Sequence, residues 1–224
     1  MEAVLKMSGE GAILKLLARG DLSRERFEEI LNDRAARRFH VVRRVLAGHR
    51  RTPRREALSL VSTLFWRDLA HLSADVRVHP EVRRAADRDL LRRLSEMALA
   101  ERIDLARSAG RGVLAVLRLD PDPRVVAAFL DNRFTTEPDV LQAAVRTEAK
   151  PEALATIAAH PRWTLRPGVR SALLRNPALP TAAGLGLLTS SSRRELRELL
   201  ENRGVSQILR ACAERVLAER AAGV

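Results

Sequence analysis

Tyrosine is absent from the 224 residues, and Trp and Phe bring the aromatic content to only 3%. Strands of sandwiches and barrels draw on aromatic and β-branched side chains, so this scarcity argues against an all-β fold. Cysteine occurs once, as Cys212, which excludes a disulfide framework and any cysteine-held zinc or iron–sulfur centre. Long apolar runs are also missing. Arg or Glu interrupts every stretch that approaches the roughly 20 residues a membrane-spanning helix needs. The Met1–Lys6 start carries an acid and lacks the apolar segment of a signal peptide. A soluble, cytoplasmic chain without membrane contact is expected. The five histidines (40, 49, 71, 79 and 160) show no metal-ligand spacing. Gly-x-x-x-x-Gly-Lys, Gly-x-Gly-x-x-Gly and Gly-x-Ser-x-Gly are all missing. Neither a metal nor a cofactor is expected.

What the chain does have is arginine. The net charge is +12, and of 40 basic residues only Lys6, Lys15 and Lys150 are lysines. Nine arginines (34, 37, 38, 43, 44, 50, 51, 54 and 55) fall between Arg34 and Arg55 with no acid among them. Without these nine the net charge is +3, so three quarters of the excess sits in 22 residues. Elsewhere the Arg, Ala and Leu bias is compositional and speaks to solubility, not to fold. Hydrophobic residues at 46% exclude a disordered chain and suffice for one domain with a sizeable core.

The sequence repeats itself weakly. His79-Pro80, Asp120-Pro121 and His160-Pro161 recur at intervals of 41 and 40 residues, each followed by Val beside Arg: Val82-Arg83, Arg124-Val125, Val169-Arg170. Val42-Arg43 precedes the series by a further 40. An offset of 127 lays Val42 on Val169, Leu46 on Leu173, His49 on Asn176 and Pro53 on Pro180. Self-similarity at such a period marks stacked helical units. Apolar spacing predicts helices at 10–19, 24–32, 34–47, 53–64, 66–73, 81–97, 99–108, 111–118, 123–131, 137–146, 151–159, 166–175, 180–189, 192–201 and 204–221. Asn132, Asn176 and Asn202 fall between paired helices, where a left-handed conformation would end the first. Pro53, Pro138 and Pro180 suit the opening of the second. Ser192 with Glu195 reads as a capping box. His79 and His160, at equivalent positions, are expected to cap, and Trp163 to plug between units. Gly184 and Gly186 are expected to permit close helix packing.

Pro80-Glu81-Val82-Arg83-Arg84-Ala85-Ala86 and Asp120-Pro121-Asp122-Pro123-Arg124-Val125-Val126-Ala127-Ala128 resemble HEAT repeats. Val169–Pro177 followed by Pro180 resembles the leucine-rich-repeat-variant form of such arrays. The resemblance spans 42–217 and implies a right-handed α-solenoid of helix pairs with a period of about 40 residues, whose concave face meets partners. Leucine-rich-repeat-variant proteins can carry an iron–sulfur domain, which a single Cys excludes here. The expected organisation is a single all-α domain over 1–224. It has an N-terminal cap at 1–33, repeats at 34–203, and a C-terminal capping helix at 204–224 that buries Cys212.

Two places could carry chemistry. Read as one helix, 34–47 puts Ala35, Phe39, Val42 and Leu46 on one face and Arg37, His40 and Arg44 on the other. His49, Arg50, Arg51, Arg54 and Arg55 then crowd the following turn. Arg37, Arg44, Arg50, Arg51, Arg54 and Arg55 are the candidate residues for a phosphate or an acidic protein, since guanidinium pairs such anions bidentately. No aromatic ladder accompanies them, so stacking on single-stranded bases is not expected. The second place is Phe65-Trp66-Arg67-Asp68-x-x-His71, where an aromatic, an acid and an imidazole fall within two helical turns. HEAT-like DNA glycosylases combine an aromatic residue and an acid on the concave face, which makes Trp66, Asp68 and His71 weak catalytic candidates. Core packing and capping are the simpler reading of the same residues. The leading expectation is a non-catalytic scaffold for a protein partner, an acidic one. Nucleic-acid backbone binding is the alternative, and a glycosylase stands third.

Overall fold

The computed structural model describes residues 9–202 and 204–222. Residues 1–8 of the expected N-terminal cap, the repeat boundary at Arg203 and the last two residues lie outside them. Among the described residues the chain is all-helical, with sixteen α-helices and no strand. It divides into two compact units, one of residues up to Met97 with Ser108–Val113, the other of Ala98–Arg107 with the chain from Leu114 onward.

The first unit holds α1 (Glu10–Ala18), α2 (Arg24–Asn32), α3 (His40–Gly48), α4 (Arg54–Val61), α5 (Trp66–Ala74) and α6 (Pro80–Arg93). Here α3 packs on α1, α4 and α5, and α6 packs on α4 and α5. First helices therefore lie against first helices and second against second. Helix α7 (Leu99–Ser108) falls mostly in the second unit, and α8 (Arg111–Leu117) begins in the first and ends in the second. The second unit continues with α9 (Pro123–Asp131), α10 (Glu137–Ala144), α11 (Pro151–Ala159), α12 (Pro161–Thr164), α13 (Pro167–Arg175), α14 (Thr181–Ser190), α15 (Arg193–Glu201) and α16 (Gln207–Ala221). Within it α15 lies on α13, and α16 on α14. Val42, Leu46, Leu69 and Leu90 are buried in the first unit, and Val125, Phe129, Leu154, Val169 and Leu173 in the second. Each buried aliphatic side chain stabilises by roughly 1.5–3 kcal/mol relative to exposure.

One turn joins the helices of most pairs. His49, Asn132, Asn176 and Asn202 each donate their N–H to the carbonyl three residues back, at 3.2, 3.1, 2.9 and 3.1 Å. Their side chains accept the N–H two residues on, from Arg51, Phe134, Ala178 and Gly204, at 2.8–3.2 Å. Their carbonyls accept the N–H three residues on, from Thr52, Thr135, Leu179 and Val205, all buried. The next residue, Pro53, Thr136, Pro180 or Ser206, is the N-cap of the second helix. Asp75 turns the α5–α6 pair in nearly the same way, accepting from Arg77, with Val78 buried and His79 the N-cap.

The expected left-handed asparagines are not found. Asn132, Asn176 and Asn202 are extended, with φ of -66°, -78° and -89°. Asn ends these helices through its side-chain acceptor and not through αL tolerance. The 127-residue offset holds in detail: Arg43 and Arg170 each donate to the carbonyl six residues upstream, Arg37 at 2.8 Å and Thr164 at 2.5 Å. The recurring turns at 49, 75, 132, 176 and 202 are unevenly spaced.

Other expectations fare unequally. The Ser192–Glu195 capping box is present. Trp163 is buried, with its Nε1–H donating to the Leu130 carbonyl at 2.9 Å. His79 caps α6, but His160 makes no side-chain cap and faces Asp131 at 3.1 Å instead. Cys212 is half-buried, not buried as expected, because it lies at the edge of the buried Leu209–Ala213 side of α16. Gly184 does allow close approach: a Cβ there would meet Leu209 Cδ2 at 2.7 Å, whereas at Gly186 it would meet nothing.

The asparagines differ in how much they hold. Asn176 Nδ2 donates to the Ala144 and Arg146 carbonyls at 2.7 and 2.8 Å, while the side chain of Asn202, among the described residues, only accepts from Gly204. Asn176→Ala strips buried carbonyls of their donor and is expected to lower the unfolding free energy by about 2–4 kcal/mol. Asn202→Ala is expected to cost about 1 kcal/mol or less by the same accounting. Chemical denaturation of the two variants checks the difference.

Candidate functional site

The helix expected over 34–47 is broken. Ala36–Arg38 forms one 3-10 turn, and Phe39 is extended (φ -78°, ψ 120°) as N-cap of α3. Ala35, Phe39, Val42 and Leu46 therefore share no common face, and Ala35 is exposed. Arg37 and Arg44 likewise sit on different elements. Arg43 Nη1 holds the break, donating to the Arg37 and Arg38 carbonyls at 2.8 and 3.3 Å.

The candidate arginines divide into two kinds. Arg44 reaches the Asp68 carboxylate at 3.7 Å, and Arg54 pairs with Glu81 at 3.1 Å. Arg51 Nη1 donates to the Leu22 carbonyl at the end of the α1–α2 turn. Arg37 is half-buried and its Nε has no acceptor. Arg34, Arg38, Arg50 and Arg55 are exposed and form no ion pair among the described residues. The single patch expected over 34–55 is thus partly spent on the fold, leaving four outward guanidinium groups.

The N-terminal ends of α3 and α5 meet. The His40 ring stands edge-on to Phe65 at 5.7 Å and 71°, and Phe65 is 60% exposed. Trp66 beside it is half-buried, with the Arg67 guanidinium 5.0 Å from its ring centre. Asp68 is 6% exposed beneath Arg44. His71 is exposed, and no hydrogen bond or ion pair joins it to Asp68. The expected i,i+3 acid–imidazole pair is therefore not assembled. Burial draws the acid inward to Arg44 while the imidazole points to solvent. The sequence does not reveal His40 as part of this corner, since its ring partner lies 25 positions away and a continuous helix over 34–47 would set it beside Arg37 and Arg44.

A second corner shows the electrostatics. His49 stacks on Phe27 at 4.5 Å, and its Nδ1 accepts the Arg51 N–H at 3.2 Å. Burial first, then the charges of Arg51 and Arg50, hold its imidazole below the ordinary value. Further along α5, Ser73 donates its hydroxyl to Asp87 at 2.5 Å and accepts the Gly110 N–H at 3.2 Å. Burial raises the Asp87 carboxyl above its ordinary value, against the pull of Ser73 and Arg83. A Cβ on Gly110 would stand 2.7 Å from the Ser73 carbonyl, so that approach requires glycine.

Among the described residues, no cluster of three or more His, Cys, Asp or Glu side chains could hold a metal ion. No helix there is long and apolar enough to cross a membrane. No family model, curated protein or solved structure matches the chain.

The His49 environment sets a pH dependence. Its folded value is depressed, so the neutral ring favours folding. That contribution is complete above the ordinary value of 6.5 and is lost as pH falls below it. The thermal midpoint is expected to drop between about pH 7.5 and about pH 5.5, where histidine titrates. In His49→Asn, which installs the residue of the equivalent turns, that drop is expected to shrink. Thermal unfolding followed by circular dichroism across this range checks it.

Proposed function

We propose that the chain is a non-catalytic, HEAT-like helical-repeat scaffold that binds a protein partner. On this reading the helix pairs stack into a right-handed superhelix. Two observations support the architecture: like helices stack on like in the first unit and from α13 to α16 in the second, and the same turn rejoins the pairs. The observation that carries the function is the corner at the starts of α3 and α5. Exposed Phe65, half-buried Trp66 and exposed Arg67 lie together there, and solvent-facing Arg38 lies two residues from His40. Large aromatics and arginines are the residue types that concentrate binding energy at protein interfaces. The outward guanidinium groups of Arg34, Arg38, Arg50 and Arg55 favour an acidic partner.

Arg34, Arg38, Arg50 and Arg55 also support nucleic-acid backbone binding as a second reading. It is weakened by Arg44 and Arg54, which already face carboxylates. Base excision finds less support still, because Asp68 is buried under Arg44.

The purified chain and its Phe65→Asp variant, used as baits on the same extract, separate the first reading from the others. A partner enriched by the parent and lost with the variant is expected, with unchanged far-ultraviolet circular dichroism. Labelled duplex DNA and RNA titrated in salt supply the contrary outcome. Tight, salt-sensitive binding lost in Arg50→Ala/Arg55→Ala, with no Phe65-dependent partner, would overturn the scaffold reading.

A further inference from the structure

The second unit contains a cavity of about 260 Å³ between the end of α8, α9, the end of α10 and α11. It is independent of the corner described above. Its floor is apolar: Val126, Ala143, Leu154 and Ile157 line it, all buried. Its rim is basic, carrying Arg118, Arg146 and Lys150. We propose that this cavity binds a small amphipathic carboxylate, with the anionic head on Arg118, Arg146 and Lys150 and an aliphatic body against Val126, Leu154 and Ile157.

Three observations converge on an anion. Arg118 Nε is buried and has no hydrogen-bond partner. A buried donor left unpaired costs about 1–3 kcal/mol, which a ligand oxygen would relieve. The rim arginines, secondly, are only loosely compensated. Arg118 reaches Asp139 at 3.5 Å and Arg146 reaches Glu148 at 3.6 Å, well beyond the roughly 2.8 Å of a charge-assisted hydrogen bond. Glu148 is itself largely exposed and free to swing away. Thirdly, the one buried acid on the rim is already neutralised. Asp120 accepts from Arg102 at 2.5 Å and from the Asp122 N–H at 2.9 Å. Lys150, at the N-cap of α11, forms no ion pair among the described residues.

The wall that carries Arg146 is fixed. Asn176 donates to the Ala144 and Arg146 carbonyls, and Arg146 Nη1 donates to the Leu119 carbonyl at 3.3 Å. The carboxylate class follows from the combination. A bare inorganic anion would leave the apolar floor empty, and a neutral chain would leave the Arg118 donor unpaired. A preformed apolar pocket with a few convergent polar groups is the usual form of a small-ligand site.

Octanoate, octanol and acetate, titrated separately into the full chain by isothermal calorimetry or amide chemical shifts, test the proposal. Saturable octanoate binding is expected, weakened about ten- to a hundredfold for octanol, since a hydrogen bond to a charged group contributes about 1.5–3 kcal/mol, and at least as much for acetate, which leaves the apolar floor uncovered. Lys150→Glu, on an exposed side chain that leaves the core intact, is expected to weaken octanoate at least about tenfold on the same accounting. Arg118→Gln should do the same. Because Arg118 also faces Asp139, its thermal midpoint is recorded alongside, and the Lys150 variant decides if that midpoint falls. Absence of saturable octanoate binding, equal affinity for octanol, or octanoate affinity unchanged in Lys150→Glu would each overturn the proposal.

Discussion

Every α-helix leaves its last four carbonyls without an intrahelical donor. This chain folds into helices mostly of 7–10 residues, so that constraint touches a large share of its backbone. The structure answers it with side chains. Asn132 and Asn176 reach back to the Ala106 and Ala144 carbonyls, and Trp163 to Leu130. Thr52 and Thr135 donate to Leu46 and Phe129, each at 2.6 Å. Arginine serves carbonyls in the segments between helices as well: Arg51, Arg93 and Arg220 each reach the carbonyl 29 residues earlier, at Leu22, Leu64 and Ser191. Arg210 forks onto the Leu200 and Asn202 carbonyls at 3.0 and 2.7 Å.

This changes the meaning of the basic composition. A guanidinium offers five donors in a fixed fork and so can satisfy two carbonyls where an ammonium meets one. Its positive charge also suits the negative end of the helix dipole. Part of the arginine content is thereby bound up with the backbone, Arg43, Arg51, Arg93, Arg170, Arg210 and Arg220 among it. Arg170 shows the same economy in the core. It caps Thr164 while pairing with Glu195, whose carboxyl is held below its ordinary value: burial opposes this, and Ser192 and Arg170 outweigh it.

The helices were legible because their punctuation is local. Pro80, Pro123, Pro151 and Pro167 sit in first turns, and apolar spacing between such marks located nearly every element. The 3-10 break before Phe39 was not legible, since no Gly or Pro stands there and the donor that holds it is Arg43. Helix α12 is four residues long, too short for any periodicity to show. The turn asparagines were found by position but assigned the wrong conformation, because sequence alone does not distinguish a side-chain acceptor from a left-handed backbone. At the candidate site, Trp66 and Asp68 are neighbours in sequence, yet burial separates their roles. The Arg44–Asp68 and Arg54–Glu81 pairs cross between helices, so composition could not reveal that those charges were already met.

The account's central claim is that a distinct set of arginines, Arg43, Arg170, Arg210 and Arg220 among them, serves the backbone. Unfolding free energies of single Arg→Gln variants test it directly, with Arg43, Arg170, Arg210 and Arg220 set against Arg34, Arg38, Arg50 and Arg55. The inward four should each cost about 1.5–3 kcal/mol, the range of hydrogen bonds to charged groups. The outward four should stay within about 0.5 kcal/mol of the parent, as exposed substitutions do. Equal, small effects in both sets would contradict it.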